Sequence, residues 1–207
     1  MQTKIILINI VIMIAFLSCS SGKYFTNYYT GNYTGLDTLI NLQGYYISSS
    51  CDPFYYTMTM FYNNGLAIHS TIPDNDVSDF FINVYEGKLK NEYSRLWWGS
   101  YVIKNDTIKL QTDVPESFLY PSGTFILYSD FKIFPDGKIQ LVSNYLLGDS
   151  WHYDQKVYSA DCNKPSVFFP IETKADSKKC PLLKKKWFWN SGTNRKAYME
   201  KIKQKKK

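Results

Sequence analysis

The chain has 207 residues and a formal net charge of +6, and 17% of its residues are aromatic, with 18 tyrosines and 13 phenylalanines. This length supports one domain with a substantial core, and residues that suit pleated surfaces, without alanine-rich stretches, argue against a helical bundle. The charge is unevenly divided, because residues 174–207 carry a balance of +11 and residues 23–173 a balance of −6. The chain therefore combines an acidic body with a strongly basic tail.

Residues 1–18 have the organisation of a lipoprotein signal peptide. Lys4 precedes an apolar run over residues 5–17, which is shorter than the ~20 residues that a membrane-spanning helix needs. The stretch Phe16-Leu17-Ser18-Cys19 resembles the bacterial lipobox. The resemblance implies that Cys19 is the lipid attachment site, which anchors the protein in the lipid bilayer. The same resemblance implies that Ser20, which follows the cysteine, directs the protein to the outer membrane, on its periplasmic or cell-surface side. The alternative is a chance cysteine beside an ordinary cleavage site.

Three cysteines remain after Cys19, namely Cys51, Cys162 and Cys180. Because exported proteins meet an oxidising environment, we expect one disulfide and one cysteine left over. Cys162 and Cys180 are the preferred pair, since their bond would join the last predicted strand to the start of the tail. Pairing of Cys51 with either of them stays open.

Residues 19–36 are rich in Gly, Asn, Thr and Tyr and are predicted to form a tether. Alternating strand and turn signals follow. Strands are predicted over residues 42–48, 55–62, 66–70, 99–104, 107–111, 125–134, 138–146 and 155–160. Three of the connections have strong turn sequences, which are Asn63-Asn64-Gly65, Asn105-Asp106 and Pro135-Asp136-Gly137.

Residues 76–89 depart from this β pattern. Val77, Phe80, Phe81 and Val84 fall close to helical spacing, which predicts one short helix over these residues. The helix would lie over a barrel mouth or pack on the surface. The alternative is a buried pair of strands. Many short strands in meander order suggest an antiparallel up-and-down barrel or a sandwich, and we expect the barrel. The predicted fold is mainly β, with a barrel domain over residues 37–173, one short helix, and a C-terminal helical tail over residues 174–207.

The strand pattern of residues 42–160 resembles a known family. The stretches LQGYY, MFYNNGLAI, WWGSYVIKNDTIKLQ and DFKIFPDGKIQLV are similar to those of the small lipocalin-like (calycin-type) lipoproteins of gram-negative bacteria. The resemblance implies a lipocalin-like barrel and a location in the cell envelope. Most members of that group are uncharacterised, so the resemblance implies no substrate.

Patterns that indicate catalysis are few. His69 and His152 are the only histidines, and neither has metal-ligating residues at suitable spacing. We expect His69 to have a structural or surface role. Asp74, Asp76 and Asp79 are close enough to suggest calcium, but their spacing favours a solvated acidic loop. No nucleophile motif, P-loop or dinucleotide-binding turn occurs in the sequence. We therefore expect a protein without enzymatic activity, metal or cofactor.

Five aromatic residues at or beside predicted strands are candidates for a ligand pocket: Tyr45, Tyr56, Trp98, Tyr101 and Tyr128. Barrels of about eight strands either hold one small ligand or fill their interior with side chains. In the first case we expect a pocket for a small amphipathic ligand. In the second case we expect an interaction or structural module of the envelope, which meets an envelope protein partner through its loops and tail.

The tail interleaves lysines with tryptophans in Lys184, Lys185, Lys186, Trp187 and Trp189. Such a segment suits nucleic acid, but export argues against that partner. We expect contact with a membrane surface, because lysines attract anionic headgroups and tryptophan prefers the interface. The alternative is a solvated terminal helix with both tryptophans packed on the barrel.

Overall fold

The computed structural model of the protein describes residues 25–26, 28–49, 55–73, 97–114, 125–148, 157–159, 164–172 and 174–204. Strands and one α-helix are found in these residues. They are β1 (Gly44–Ser49), β2 (Tyr55–Phe61), β3 (Leu66–Pro73), β4 (Trp97–Lys104), β5 (Thr107–Val114), β6 (Phe125–Ile133), β7 (Ile139–Gly148), β8 (Val157–Ser159), β9 (Val167–Pro170) and α1 (Gly192–Gln204).

The strands form one antiparallel sheet in the order β8-β7-β6-β5-β4-β3-β2-β1-β9. The first eight strands follow one another up and down, whereas β9 returns to pair with β1, where Val167 lies opposite Ile47. The sheet curls into a half-barrel. The predicted fold class is confirmed, with mainly β structure, up-and-down antiparallel strands and a C-terminal helix. None of the helices among the described residues is long and apolar enough to cross a membrane.

The predicted hairpin turns form where the sequence indicates them. Gly65 (φ 85°), Asn105 (φ 56°) and Gly137 (φ 79°) lie in the turns after β2, β4 and β6. Glycine and asparagine adopt this left-handed conformation more readily than other residues. The sequence prediction misses β9, which lies in a segment for which no strand is expected.

The concave face of the half-barrel encloses a hydrophobic core to which β1 to β7 and β9 contribute. Phe61 has the rings of Tyr101 and Phe131 edge-on to it, with 5.4 and 5.6 Å between ring centroids. All three side chains are at most 1% exposed. Leu36 and Ile40, from the segment before β1, pack into the same core. Side chains therefore fill this end of the half-barrel, which we call the closed end.

Ser166 joins two edges of the curled sheet. Its backbone N–H donates a hydrogen bond to the carbonyl oxygen of Ile139 in β7 at 2.7 Å. Its hydroxyl lies 2.7 Å from the hydroxyl of Ser48 in β1, and both side chains are buried. β9 therefore begins at the point where the edges of the sheet meet.

Several predicted features lie outside the described residues. They are the leader with Cys19, the short helix over residues 76–89, the three aspartates near it, Cys51, Cys162 and His152. These features stay predictions.

Candidate functional site

The outer face of the half-barrel is covered by the C-terminal part of the chain. Outward-facing side chains of the sheet form an apolar surface that includes Met58, Ile68 and Ile126. Residues 174–190, which we call the strap, pack against this surface. The deeply buried strap residues, each at most 4% exposed, are Cys180, Leu182, Leu183, Phe188 and Trp189. The strap is therefore part of the fold.

Three short 3-10 helices form much of the strap: Ser177–Lys179, Pro181–Lys184 and Lys186–Phe188. The carboxylate of Asp176 caps the first of them by accepting a hydrogen bond from the backbone N–H of Lys178 at 3.0 Å. The lysines in these turns are exposed, whereas the leucines and most of the aromatic area face the sheet. The strap thus separates its charges from its apolar side chains.

Lys174 fixes the start of the strap near the closed end. Its ammonium group donates hydrogen bonds to the carbonyl oxygens of Leu42 (2.7 Å) and Phe61 (2.6 Å). The same group lies 4.4 Å from the ring centre of Tyr62. Burial lowers the pKa of Lys174 to about 8. Two carbonyls and an aromatic face replace water around the charge.

The N-terminal segment that begins at Phe25 lies beside the end of the strap. Tyr29 and Trp189 form a parallel bridge, and the backbone N–H of Asn190 donates to the carbonyl oxygen of Tyr29 at 2.8 Å. The rings of Phe25 and Trp187 are 5.1 Å apart. Phe25 and Tyr29 are 5% and 3% exposed. The prediction of a tether up to residue 36 is therefore wrong for these residues, because aromatic packing fixes them on the half-barrel.

α1 follows the strap and contacts it on one side. The guanidinium group of Arg195 donates to the carbonyl oxygen of Lys184 at 3.2 Å, and the ring of Tyr198 lies 5.3 Å from that of Trp189. The exposed lysines of the helix are Lys196, Lys201 and Lys203. They extend the charged surface of the strap.

The exposed lysines of the strap and of α1 form no salt bridge within the described part of the chain. The ion pairs found there join Lys109 to Asp130, Lys132 to Asp106, and Lys138 to Asp136. Asp113 on β5 is close enough to Lys185 for their charges to interact. Burial raises the pKa of Asp113 to about 6, and the positive charge of Lys185 opposes that rise. Among the described residues, the strap therefore presents positive charge that acidic side chains leave largely uncompensated.

The structure divides the residues predicted to contact a membrane. Lys184, Lys185 and Lys186 are exposed, and Trp187 is half-buried. Trp189 is 4% exposed, and its indole N–H donates to the carbonyl oxygen of Leu183 at 3.1 Å. The prediction that Trp189 contacts a membrane is wrong, since the ring packs on the half-barrel and its polar atom is satisfied there.

The five aromatic residues predicted to line a pocket do not share one cavity. Tyr101 lies in the inner core, whereas Tyr45, Tyr56, Trp98 and Tyr128 belong to the cluster on the outer face. Successive residues of a strand alternate between its faces, so Trp98 and Tyr101, three residues apart, point to opposite sides. The predicted grouping is therefore wrong.

A layer of buried polar side chains crosses the interior of the half-barrel. Its members are Ser48, Thr59, His69, Thr112 and Ser129. Strand alternation places these side chains on the inner face. Along β6, for example, Ser129 lies between Phe131 of the core at the closed end and a second apolar cluster around Phe125 and Leu127. The interior is therefore layered, with two apolar regions on either side of a polar one.

His69 has the structural role, one of the two that the sequence suggested. Its Nδ1 lies 2.8 Å from the hydroxyl of Thr59, and its ring lies edge-on to Phe131 at 6.3 Å. Burial lowers the pKa of His69 to about 4, so the ring is neutral at physiological pH. Within the described residues, no three or more His, Cys, Asp or Glu are placed to hold a metal ion.

A cleft of about 730 Å³ opens outside the core at the closed end. Its walls are residues 37–43, Tyr62, Asn63, the turn at Asp136 and Gly137, and Lys174. It shares no residue with the predicted aromatic pocket, and its walls include several polar and charged side chains. The cleft is therefore distinct from the enclosed apolar cavity expected for an amphipathic ligand.

Cys180 is a strap residue whose free thiol is buried against the outer face of the half-barrel. Burial raises its pKa to about 12. The structure therefore does not contain the predicted disulfide between Cys180 and Cys162, and Cys162 itself lies outside the described residues.

Leu182, Leu183 and Phe188 were missed by sequence reasoning, although they hold the strap in place. The available signal was the stretch CPLLKKKWFW, residues 180–189, in which apolar residues make up most of a segment otherwise notable for its lysines. A solvated basic tail would not carry so many large apolar side chains.

Comparison of the chain with protein-family models, with curated proteins and with solved structures gave no match.

Proposed function

We propose that this protein is an exported lipoprotein, anchored to the outer membrane through acylated Cys19, whose half-barrel is a non-enzymatic interaction module of the cell envelope. Its leader and the lipobox-like stretch before Cys19 support export and acylation. The observation that supports an interaction module is the packing of Phe61, Tyr101 and Phe131, which fills the closed end of the interior. A side-chain-filled interior leaves the surfaces to make contacts with partners.

The surface that the module offers is the strap with α1. It is fixed on the half-barrel by buried leucine and aromatic side chains, and it presents lysines that form no salt bridge within the described residues. A charged surface on a rigid support favours recognition by electrostatic complementarity. Storage of a small amphipathic ligand receives less support, since the candidate pocket residues lie on two faces of the sheet.

Fatty-acid labelling in the host tests the anchor. The wild-type protein should incorporate labelled palmitate and fractionate with membranes, whereas Cys19→Ala should lose both the label and the fractionation. Cys180→Ala is the matched control, because that buried thiol should not be acylated. Retained label in Cys19→Ala would refute the anchor.

A further inference from the structure

We infer that the lysines of the strap and α1 form the membrane-facing surface of the protein and bind anionic lipid headgroups. The inference rests on the proposed lipid anchor, and it adds the surface, the orientation and the lipid class. It follows from the direction of the described N-terminal segment along the strap, together with the charge and burial of the strap.

The pairing of the N-terminal segment with the strap gives that direction. Tyr29 and Trp189 form a parallel bridge, so the chain runs the same way in both segments. Four residues before Tyr29, Phe25 contacts the ring of Trp187, two residues before Trp189. The described N-terminal segment therefore reaches Trp187 at Phe25, and the residues that directly precede Trp187 are three exposed lysines, residues 184–186.

Covalent geometry limits the distance between the anchor and these lysines. Cys19 precedes Phe25 by six residues, which span at most about 21 Å when fully extended. Phe25 is held on the half-barrel by its contacts with Trp187 and Phe188. An acylated Cys19 would thus keep Phe25, and with it the strap end that contains Trp187, close to the bilayer.

The charge of this surface determines the kind of lipid it recognises. Ten basic and two acidic residues lie in the described residues 174–204, and Lys174, one of the ten, is engaged by carbonyl oxygens inside the fold. Each lysine close to an anionic bilayer strengthens the association about fivefold. Because Trp189 is buried, the contact is electrostatic and does not depend on insertion of that ring.

The opposite end of the half-barrel provides an internal reference. Asp113, whose charge interacts with that of Lys185, lies near the end of β5. The exposed Lys104 pairs with Thr107 at the start of β5. Six residues of strand separate Thr107 from Asp113, or about 20 Å. Lys104 should therefore stay exposed to solvent when the strap faces a membrane.

Amine labelling of the full-length acylated protein in vesicles tests the inference. The protein would be reconstituted in phosphatidylcholine vesicles with or without 30% phosphatidylglycerol, and labelling of each lysine would be read by mass spectrometry. We expect peptides containing Lys184, Lys185 and Lys186 to react at least fivefold more slowly in the anionic vesicles. The rate for Lys104 should not change, and 1 M salt should abolish the difference.

A triple variant tests whether these lysines cause the orientation. In Lys184→Gln/Lys185→Gln/Lys186→Gln, protection of Lys196 on the neighbouring helix should fall toward its value in neutral vesicles. These side chains are exposed, so the variant should fold; circular dichroism verifies this. Unchanged protection of Lys196 in the folded variant would overturn the assignment to these three residues.

The remaining outcomes separate this inference from the proposed anchor. Protein that floats with both kinds of vesicle but shows equal lysine labelling in them would overturn the inference and leave the anchor intact. Protein that fails to float with neutral vesicles would refute the anchor itself. Protection of Lys104 equal to that of Lys185 would also overturn the inferred orientation.

Discussion

Replacement of His69 by asparagine should make folding less sensitive to acid. Burial of the imidazole lowers its pKa from 6.5 to about 4, because the apolar surroundings disfavour the charged ring. Below about pH 6.5 the unfolded chain binds a proton that the folded protein rejects until about pH 4. The stability contributed by this group is therefore complete at neutral pH and is lost as the pH falls. Linkage gives a loss of about 2 kcal/mol between about pH 7 and about pH 4.5.

Urea unfolding of both proteins in non-ionic detergent at a series of pH values measures this effect. Asparagine can bond the hydroxyl of Thr59 from nearly the position of Nδ1, but it does not titrate. We expect a constant offset at neutral pH and a decline toward acid that is smaller by about 2 kcal/mol in the variant. Asp113 titrates in both proteins, so its contribution cancels in the comparison. Parallel pH profiles would refute the conclusion that His69 is buried in its neutral form.

Three further substitutions, two of them with a control variant, test burial and packing. Asp113→Asn should stabilise the protein by up to about 3 kcal/mol above pH 6 and have no effect below pH 4. Burial raises the pKa of this carboxyl from 3.8 to about 6, because the folded state disfavours its charge. The opposite trend in urea unfolding would contradict this expectation. Phe188→Ala should cost about 3–5 kcal/mol, since the ring is fully buried under the strap. Tyr33→Ala, at a 64% exposed site, should cost less than about 0.5 kcal/mol, and equal losses would show that the strap is not packed. Gly99→Ala should lower the midpoint of thermal unfolding strongly, because the added Cβ would overlap the carbonyl oxygen of Gln111. A Cβ added at Gly192 contacts no other atom, so Gly192→Ala should be tolerated. A tolerated Gly99→Ala would contradict the close approach of β4 and β5.

The strands could be predicted because their signals are local. The turns at Gly65, Asn105 and Gly137 require particular residues at particular positions, and the flanking stretches have the composition of strands. β9 was not predicted because it has only four residues, begins two residues after Pro165 and ends at Pro170. Proline usually argues against a strand. Here it stands before the strand and at its end, and the pairing partner, β1, is more than 100 residues away in the chain.

The strap could not be located from local patterns. Its contacts join residues near the C-terminus to Phe25, Tyr29, strands β1 to β4 and β6. No periodicity in the sequence specifies which face of the sheet the strap covers. The assignment of aromatic residues to faces was within reach, however. Trp98 and Tyr101 are separated by an odd number of positions on one strand, and alternation alone separates them.

The most direct measurement of the proposed role is native mass spectrometry of the acylated protein, purified in mild detergent from its own host. A module with a filled interior should give the mass of the acylated chain, alone or with a reproducible protein partner, and no further bound molecule. A small amphipathic molecule bound at one copy per chain, and lost on unfolding, would contradict the filled interior and favour the hypothesis that the protein carries a ligand.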